Sequence, residues 1–195
     1  PANNPSISAM NQKAWLMKVA KESATAAANG ERYSPPEPDP SWTLVKAKGA
    51  AFVTLRRKKD DSLRGCIGHI IARIPLYRCV ADMGHAAAVE DGRFSPVTPS
   101  ELPGIRFEIS VLTPLEIVKD PEEIVVGKDG VVLEHGWNHG VFLPQVPTEQ
   151  GWDRIEYLDN LCYKAGLYSA GCWKDPKAVL KKFQAIVWEE EEVAG

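Results

Sequence analysis

The sequence predicts an α+β fold. Apolar residues recur with the helical period in some segments and alternate with the strand period in others. These segments follow one another in mixed clusters, without the regular strand–helix–strand succession of a doubly wound sheet. The 195 residues, with 44% hydrophobic and 25% charged side chains, 15 Gly and 15 Pro, fall in the globular range and supply a sizeable core. This length admits one domain or two closely packed lobes and excludes a string of modules.

In chain order, Asn11–Ala28 is Ala-rich and helix-favouring and closes on Asn29-Gly30, a suitable helix stop. Prolines at 35, 36, 38 and 40 then exclude helix and favour an extended surface strap, after which Trp42 and Leu44 call for burial. Ala50–Arg57 and Leu63–Ile71 read as two strands of a hairpin, joined by the polar cluster Lys58-Lys59-Asp60-Asp61-Ser62. From Pro75 to Val89, Leu76, Val80, Met83 and Ala87 recur at helical spacing; Pro75 suits the first turn and Gly92 the stop. Arg106–Leu112 alternates as a strand, and Val131–Glu134 with Gly140–Leu143 forms a second hairpin. Trp152–Ala165 places Ile155, Leu158, Leu161, Cys162 and Ala165 on one helical arc ending at Gly166, and Phe183–Trp188 is a late strand.

With 23 Lys+Arg against 26 Asp+Glu, the formal net charge of −3 creates no global field for polyanions, and nucleic-acid binding is not expected. Arg56-Arg57-Lys58-Lys59 is followed at once by Asp60-Asp61 and has no interleaved aromatics, so it reads as a solvated hairpin tip. No apolar run approaches the roughly 18 residues of a membrane span. The opening Pro1-Ala-Asn-Asn-Pro carries no basic and apolar leader, so the expectation is a cytoplasmic protein without membrane association. Cys66, Cys79, Cys162 and Cys172 form no C-x-x-C pair and are expected as four free thiols, with Cys79 and Cys162 in packing roles. Glu189–Glu192 reads as a short acidic tail.

The most informative segment is Leu63-Arg64-Gly65-Cys66-Ile67-Gly68-His69. Strict alternation puts Leu63 and Ile67 on a core face and Arg64 beside Cys66 on the other. A guanidinium beside a thiol favours the thiolate, and Gly65 and Gly68 permit close approach of a ligand or of another backbone. The same pattern also fits a buried structural cysteine between packing glycines. Cys66-x-x-His69 and His135-x-x-x-His139 supply four metal-ligand types, but the second pair spans a hairpin turn and no other short pair has zinc-finger spacing. No metal is therefore expected. A Walker loop, a nucleophile elbow and a dinucleotide fingerprint are all missing from the sequence, and no cofactor is expected.

Leu63-Arg-Gly-Cys-Ile-Gly68 resembles the signature of the AMMECR family, which is named for a human chromosomal-deletion syndrome and also occurs in bacteria and archaea. Four further regions agree: Asp91-Gly-Arg-Phe-Ser-Pro96 with Glu101-Leu-Pro103, Glu108-Ile-Ser-Val-Leu112, Gly140-Val-Phe-Leu-Pro-Gln-Val146, and Glu149-Gln-Gly-Trp152 with Leu161-Cys-Tyr-Lys-Ala-Gly166. The resemblance implies a single α+β domain over residues 8–190, flanked by frayed termini at 1–7 and 191–195. It also implies a mixed or antiparallel barrel-like sheet with flanking helices in two lobes, and a cleft where the signature residues gather. The positions it carries over are Arg64, Gly65, Cys66 and Gly68, then Asp91 and Arg93, Glu108, and Gln145, Glu149 and Gln150. It names no reaction, and implies Memo-like and radical-SAM proteins as partners.

Two readings follow. In one, the protein is an enzyme acting on a small anionic or carbonyl-containing substrate. Cys66 is its nucleophile or acid/base, Arg64 its activator and anion contact, and Glu108 a base or the partner of Arg64, with Asp91 and Arg93 in support. Asp91 and Arg93 can instead close the preceding helix with a local ion pair, while Gln145, Glu149 and Gln150 either line the cleft or satisfy loop backbone. In the other reading, the protein is a non-catalytic partner that delivers substrate to Memo-like and radical-SAM enzymes.

Overall fold

The computed structural model describes residues 5–190; residues 1–4 and 191–195, the latter including Glu191 and Glu192 of the acidic run, lie outside the described residues. The chain divides into two compact units. One runs through Val111 and resumes at Ile186, and the other is Leu112–Ala185.

In the first unit, α1 (Pro5–Ala28) and α3 (Leu76–Val89) pack on a four-stranded sheet of order β2-β1-β3-β8, where β1 is Ala50–Arg57, β2 Leu63–Gly68, β3 Ile105–Leu112 and β8 Ala185–Glu189. The alternation of β1 explains the layering: Ala51, Val53 and Leu55 are fully buried in the core shared with Leu16, Val19 and Ala20 of α1 and Val80 of α3. Helix α3 is buried along most of its length because it meets both α1 and the sheet, which its small residues Ala81, Gly84, Ala87 and Ala88 permit. Between α1 and β1 lies the one-turn helix α2 (Thr43–Lys46). There Val45 is fully buried while Leu44 is 38% exposed, so the apolar anchor falls one residue later than expected; Trp42 packs edge-on against Trp15.

The hairpin forms as anticipated, with β2 ending at Gly68 rather than continuing to Ile71. Asp61 sits at its tip with φ 61°, and the Asp60 carboxylate accepts from the Ser62 amide and hydroxyl. Register runs Val53↔Ile67, Thr54↔Cys66 and Leu55↔Gly65, then shifts so that Arg56 faces Leu63. Arg64 is therefore the extra residue of a β-bulge, and strict alternation stops there.

The second unit contains a sheet of order β4-β7-β5-β6, antiparallel throughout, where β4 is Glu116–Ile117, β5 Gly130–His135, β6 Asn138–Phe142 and β7 Ala178–Phe183. Helices α4 (Val146–Gln150) and α5 (Arg154–Lys164) complete it. Asp153 caps α5 by accepting from the Glu156 amide. Tyr157, Leu158, Leu161 and Cys162 bury their face against Val131, Leu133 and Leu180, whereas Ile155, expected on that arc, is 46% exposed. The late strand proves to be two, β7 and β8, interrupted at Gln184. Neither sheet closes on itself in the strand orders found, and the fold class is α+β.

The cysteine expectation is corrected here. Cys162 and Cys172 form a disulfide that ties α5 to the turn at Cys172–Lys174, leaving Cys66 and Cys79 as the free thiols. The same turn is held by Asp159, whose carboxylate accepts from the Gly171 amide and the Trp173 indole.

Candidate functional site

The site is built on β2 and on the segment that leaves α3. Cys66 and Thr54 face each other across the hairpin, with Sγ and Oγ1 at 3.2 Å. The Cys66 amide donates to Oδ2 of Asp91 at 3.0 Å, tying the strand to the residue just past the end of α3. Arg93 grips the same carboxylate, with Nε on Oδ1 at 3.0 Å and NH2 on Oδ2 at 2.8 Å, and NH2 also reaches the Cys66 carbonyl at 3.4 Å. This pairing holds the Asp91 carboxyl well below its ordinary range, at about 2. The Asp91–Arg93 pair thus braces the Cys66 backbone, while α3 itself ends with the Glu90 amide donating to the Ala86 carbonyl.

Burial pushes the Cys66 thiol pKa up. The Thr54 hydroxyl and the Arg93 guanidinium pull it down, while Glu108 and Asp91 push it up again, and the balance is upward. The thiol is therefore the resting form at neutral pH, and the cation acting on it is Arg93. Arg64, expected as the activator, is committed elsewhere. Across the bulge its Nε and NH2 form a forked pair with Glu101 at 3.0 and 3.3 Å. The expected carboxylate for that role was Glu108. Glu101 also accepts from the Thr98 amide at 2.7 Å, and Arg64 first, then this amide, hold its pKa at about 2. The guanidinium carbons of Arg64 and Arg93 lie 5.9 and 5.5 Å from the centre of the Phe94 ring, so both cations contact the same aromatic side chain.

Glu108 is 9% exposed and Ser110 fully buried on β3, opposite in alternation to the core residues Phe107 and Ile109. The glycines have a packing reason. A Cβ on Gly65 would meet the Ala87 carbonyl oxygen of α3 at 2.2 Å, and one on Gly68 would meet the Phe52 ring at 2.2 Å. Both allow close approach, but by the protein's own groups. Gln145 occupies the position before α4 in the second unit without a side-chain capping bond, and Glu149 and Gln150 lie exposed on that helix.

Thr54, Phe94 and Glu101 were not singled out as site residues by the sequence. For Glu101 a local signal exists: Thr98-x-x-Glu101 is a capping box, and it opens the 3-10 turn at Pro99–Gly104. His69 is exposed beyond the end of β2, while His135 pairs with Asp175 at 3.2 Å.

The AMMECR1 family model matches residues 17–188. The chain belongs to the AMMECR1 family. A protein of Thermococcus gammatolerans is 41% identical over 190 residues, covering 93% of this chain and 91% of that one. A protein of Methanopyrus kandleri is 42% identical over 167 residues, covering 82% and 79%. The crystal structure of an uncharacterized protein from Pyrococcus horikoshii matches with a TM-score of 0.83 at 37% identity, covering 90% of each chain. These names state no activity. The AMMECR1 match spans both Arg64–Gly68 and Asp91–Phe94.

Proposed function

We propose that this AMMECR1 protein is an enzyme acting on a small anionic or carbonyl-containing substrate at the Cys66 face of β2. The observation that supports this is the convergence on one thiol of the Thr54 hydroxyl, the Arg93–Asp91 pair and the charge of Glu108. Cys66 rests protonated and carries the reactive sulfur. For attack on a carbonyl carbon the thiol must lose its proton as the S–C bond forms and the C=O π electron pair moves onto the carbonyl oxygen. Asp91, held near 2 by Arg93, is too weak a base to take it, and Glu108 fills that role. Arg93 supplies the positive charge for a substrate anion, and Arg64, anchored by Glu101, is a positioning residue for the strand.

The test uses a Cys79→Ser variant, in which Cys66 is the remaining free thiol. Small carboxylates, phosphates, aldehydes and ketones are screened for saturable protection of Cys66 from iodoacetamide. Protection by one class, with loss of its turnover by orders of magnitude in Cys66→Ser, is the expected result. A Cys66 labelled only on unfolding, or protected by none of these classes, overturns the reading.

A second reading, a non-catalytic partner that delivers substrate to Memo-like and radical-SAM enzymes, needs no thiolate and so agrees with a thiol that rests protonated. Here Cys66→Ser retains partner affinity within a factor of a few, as measured by titration against those proteins. The described helices include none long and apolar enough to cross a membrane. A cytoplasmic location belongs to this proposal, and cell fractionation tests it.

A further inference from the structure

The hairpin tip and the 3-10 turn at Pro99–Gly104 line an open cavity of about 650 Å³, a volume that suits a small molecule. Its charged lining is Arg57, Lys58, Lys59, Arg64 and Glu101, a formal +3 on a chain whose net charge is −3. We propose that this cavity binds a small phosphomonoester, with the phosphate held by Arg64, Lys58 and Lys59 and the apolar body of the ligand against Pro103 and Ile105, which also line it.

The charge alone would describe a solvated tip; Arg64 makes the difference. Its residue is 3% exposed, and its NH1 is buried with no hydrogen-bond partner among the described residues. A buried guanidinium nitrogen without a partner carries a desolvation cost that a ligand oxygen removes. Glu101 occupies the Nε and NH2 edge of the fork, which fixes the group and leaves NH1 for a second acceptor. The walls are also tied together: the Lys58 amide donates to the Gly104 carbonyl at 2.8 Å, and the Arg57 guanidinium to the Leu63 carbonyl at 2.9 Å. The neighbouring carboxylates are engaged outside the cavity lining, Asp60 with Ser62 and Asp61 with Arg106. Lys58 and Lys59 are exposed and long enough to close on a phosphate. Cys66 does not line this cavity, so the inference stands apart from the thiol chemistry.

The probe is phenyl phosphate, titrated into the full chain by calorimetry and by amide NMR, with phenol and inorganic phosphate as comparisons. Saturable binding is expected to shift the Lys58, Lys59 and Gly104 amides, with phosphate weaker and phenol silent. The double variant Lys58→Gln, Lys59→Gln should lose about tenfold in affinity at an unchanged melting temperature, since both side chains are exposed. Cys66→Ser should bind within about twofold of the parent. Equal binding of phenol, an unaffected double variant, or loss of binding in Cys66→Ser each overturns the proposal. So does steeply salt-dependent binding of a single-stranded oligonucleotide while phenyl phosphate fails.

Discussion

The main-chain nitrogen of Cys66 donates to the Asp91 carboxylate at 3.0 Å, so the thiol-bearing strand is held in place by the segment that leaves α3. Asp91 is 6% exposed and bonded to Arg93 through both oxygens, which makes it the joint between helix, strand and cation.

Asp91→Asn keeps the shape and removes the charge from this joint. It is expected to destabilise the protein by about 1.5–3 kcal/mol, the range for hydrogen bonds to a charged partner, as read from urea unfolding midpoints.

The same pair sets an acid limb. Asp91 has a folded pKa of about 2 against an ordinary 3.8, and a depressed carboxyl pKa stabilises above the ordinary value and is lost as pH falls through the folded one. Between about pH 4 and pH 2 Asp91 should give up on the order of 2 kcal/mol. Glu101, with its more exposed side chain, should give up on the order of 1 kcal/mol after solvent screening. Stability measured against pH should be flatter in this window for Asp91→Asn than for the parent.

Arg93 and Glu108 push the Cys66 thiol in opposite directions. In the Cys79→Ser background, Arg93→Gln should slow iodoacetamide labelling of Cys66 at neutral pH, and Glu108→Gln should speed it, each by several-fold. The labelling rate of the parent should climb above pH 9, consistent with a thiol pKa raised from its ordinary value of 9.0.

Gly65→Ala forces a methyl against the Ala87 carbonyl oxygen, which is backbone and cannot swing aside. A loss of about 2 kcal/mol or more is expected. Gly92→Ala, where a Cβ meets nothing within 4 Å, should stay within about 0.5 kcal/mol and serves as the control.

The Cys162–Cys172 disulfide closes a short loop, with a sequence separation of 10. Chain-entropy arguments assign such a loop about 2–3 kcal/mol. Reduction, or paired replacement by Ala, should lower the melting temperature of the protein accordingly, while Cys66 labelling in the folded protein is unchanged.

Periodicity by itself determined the α+β class, the hairpin of β1 and β2, α3 and most of the core face of α5, because burial on one side of an element imposes a period that local residues record. The sequence also drew attention to Cys66 through the nearby Gly65 and Gly68, which the structure shows to be required by packing against Ala87 and Phe52. Strand β7 escaped because Lys181 and Lys182, half-buried beside β5, blur its alternation. Tertiary structure decided the rest. The bulge at Arg64 breaks the alternation that would have set it beside Cys66, and its partner Glu101 lies 37 residues away. Arg93, 27 residues from Cys66, supplies the charge on the thiol instead. The pairing of Cys162 with Cys172 likewise depends on how α5 meets the following turn. The Arg64–Glu101 pair and the reach of Arg93 to Cys66 join residues 37 and 27 positions apart, so no local period encodes them; they are settled only when the packed elements bring the groups within a few ångströms.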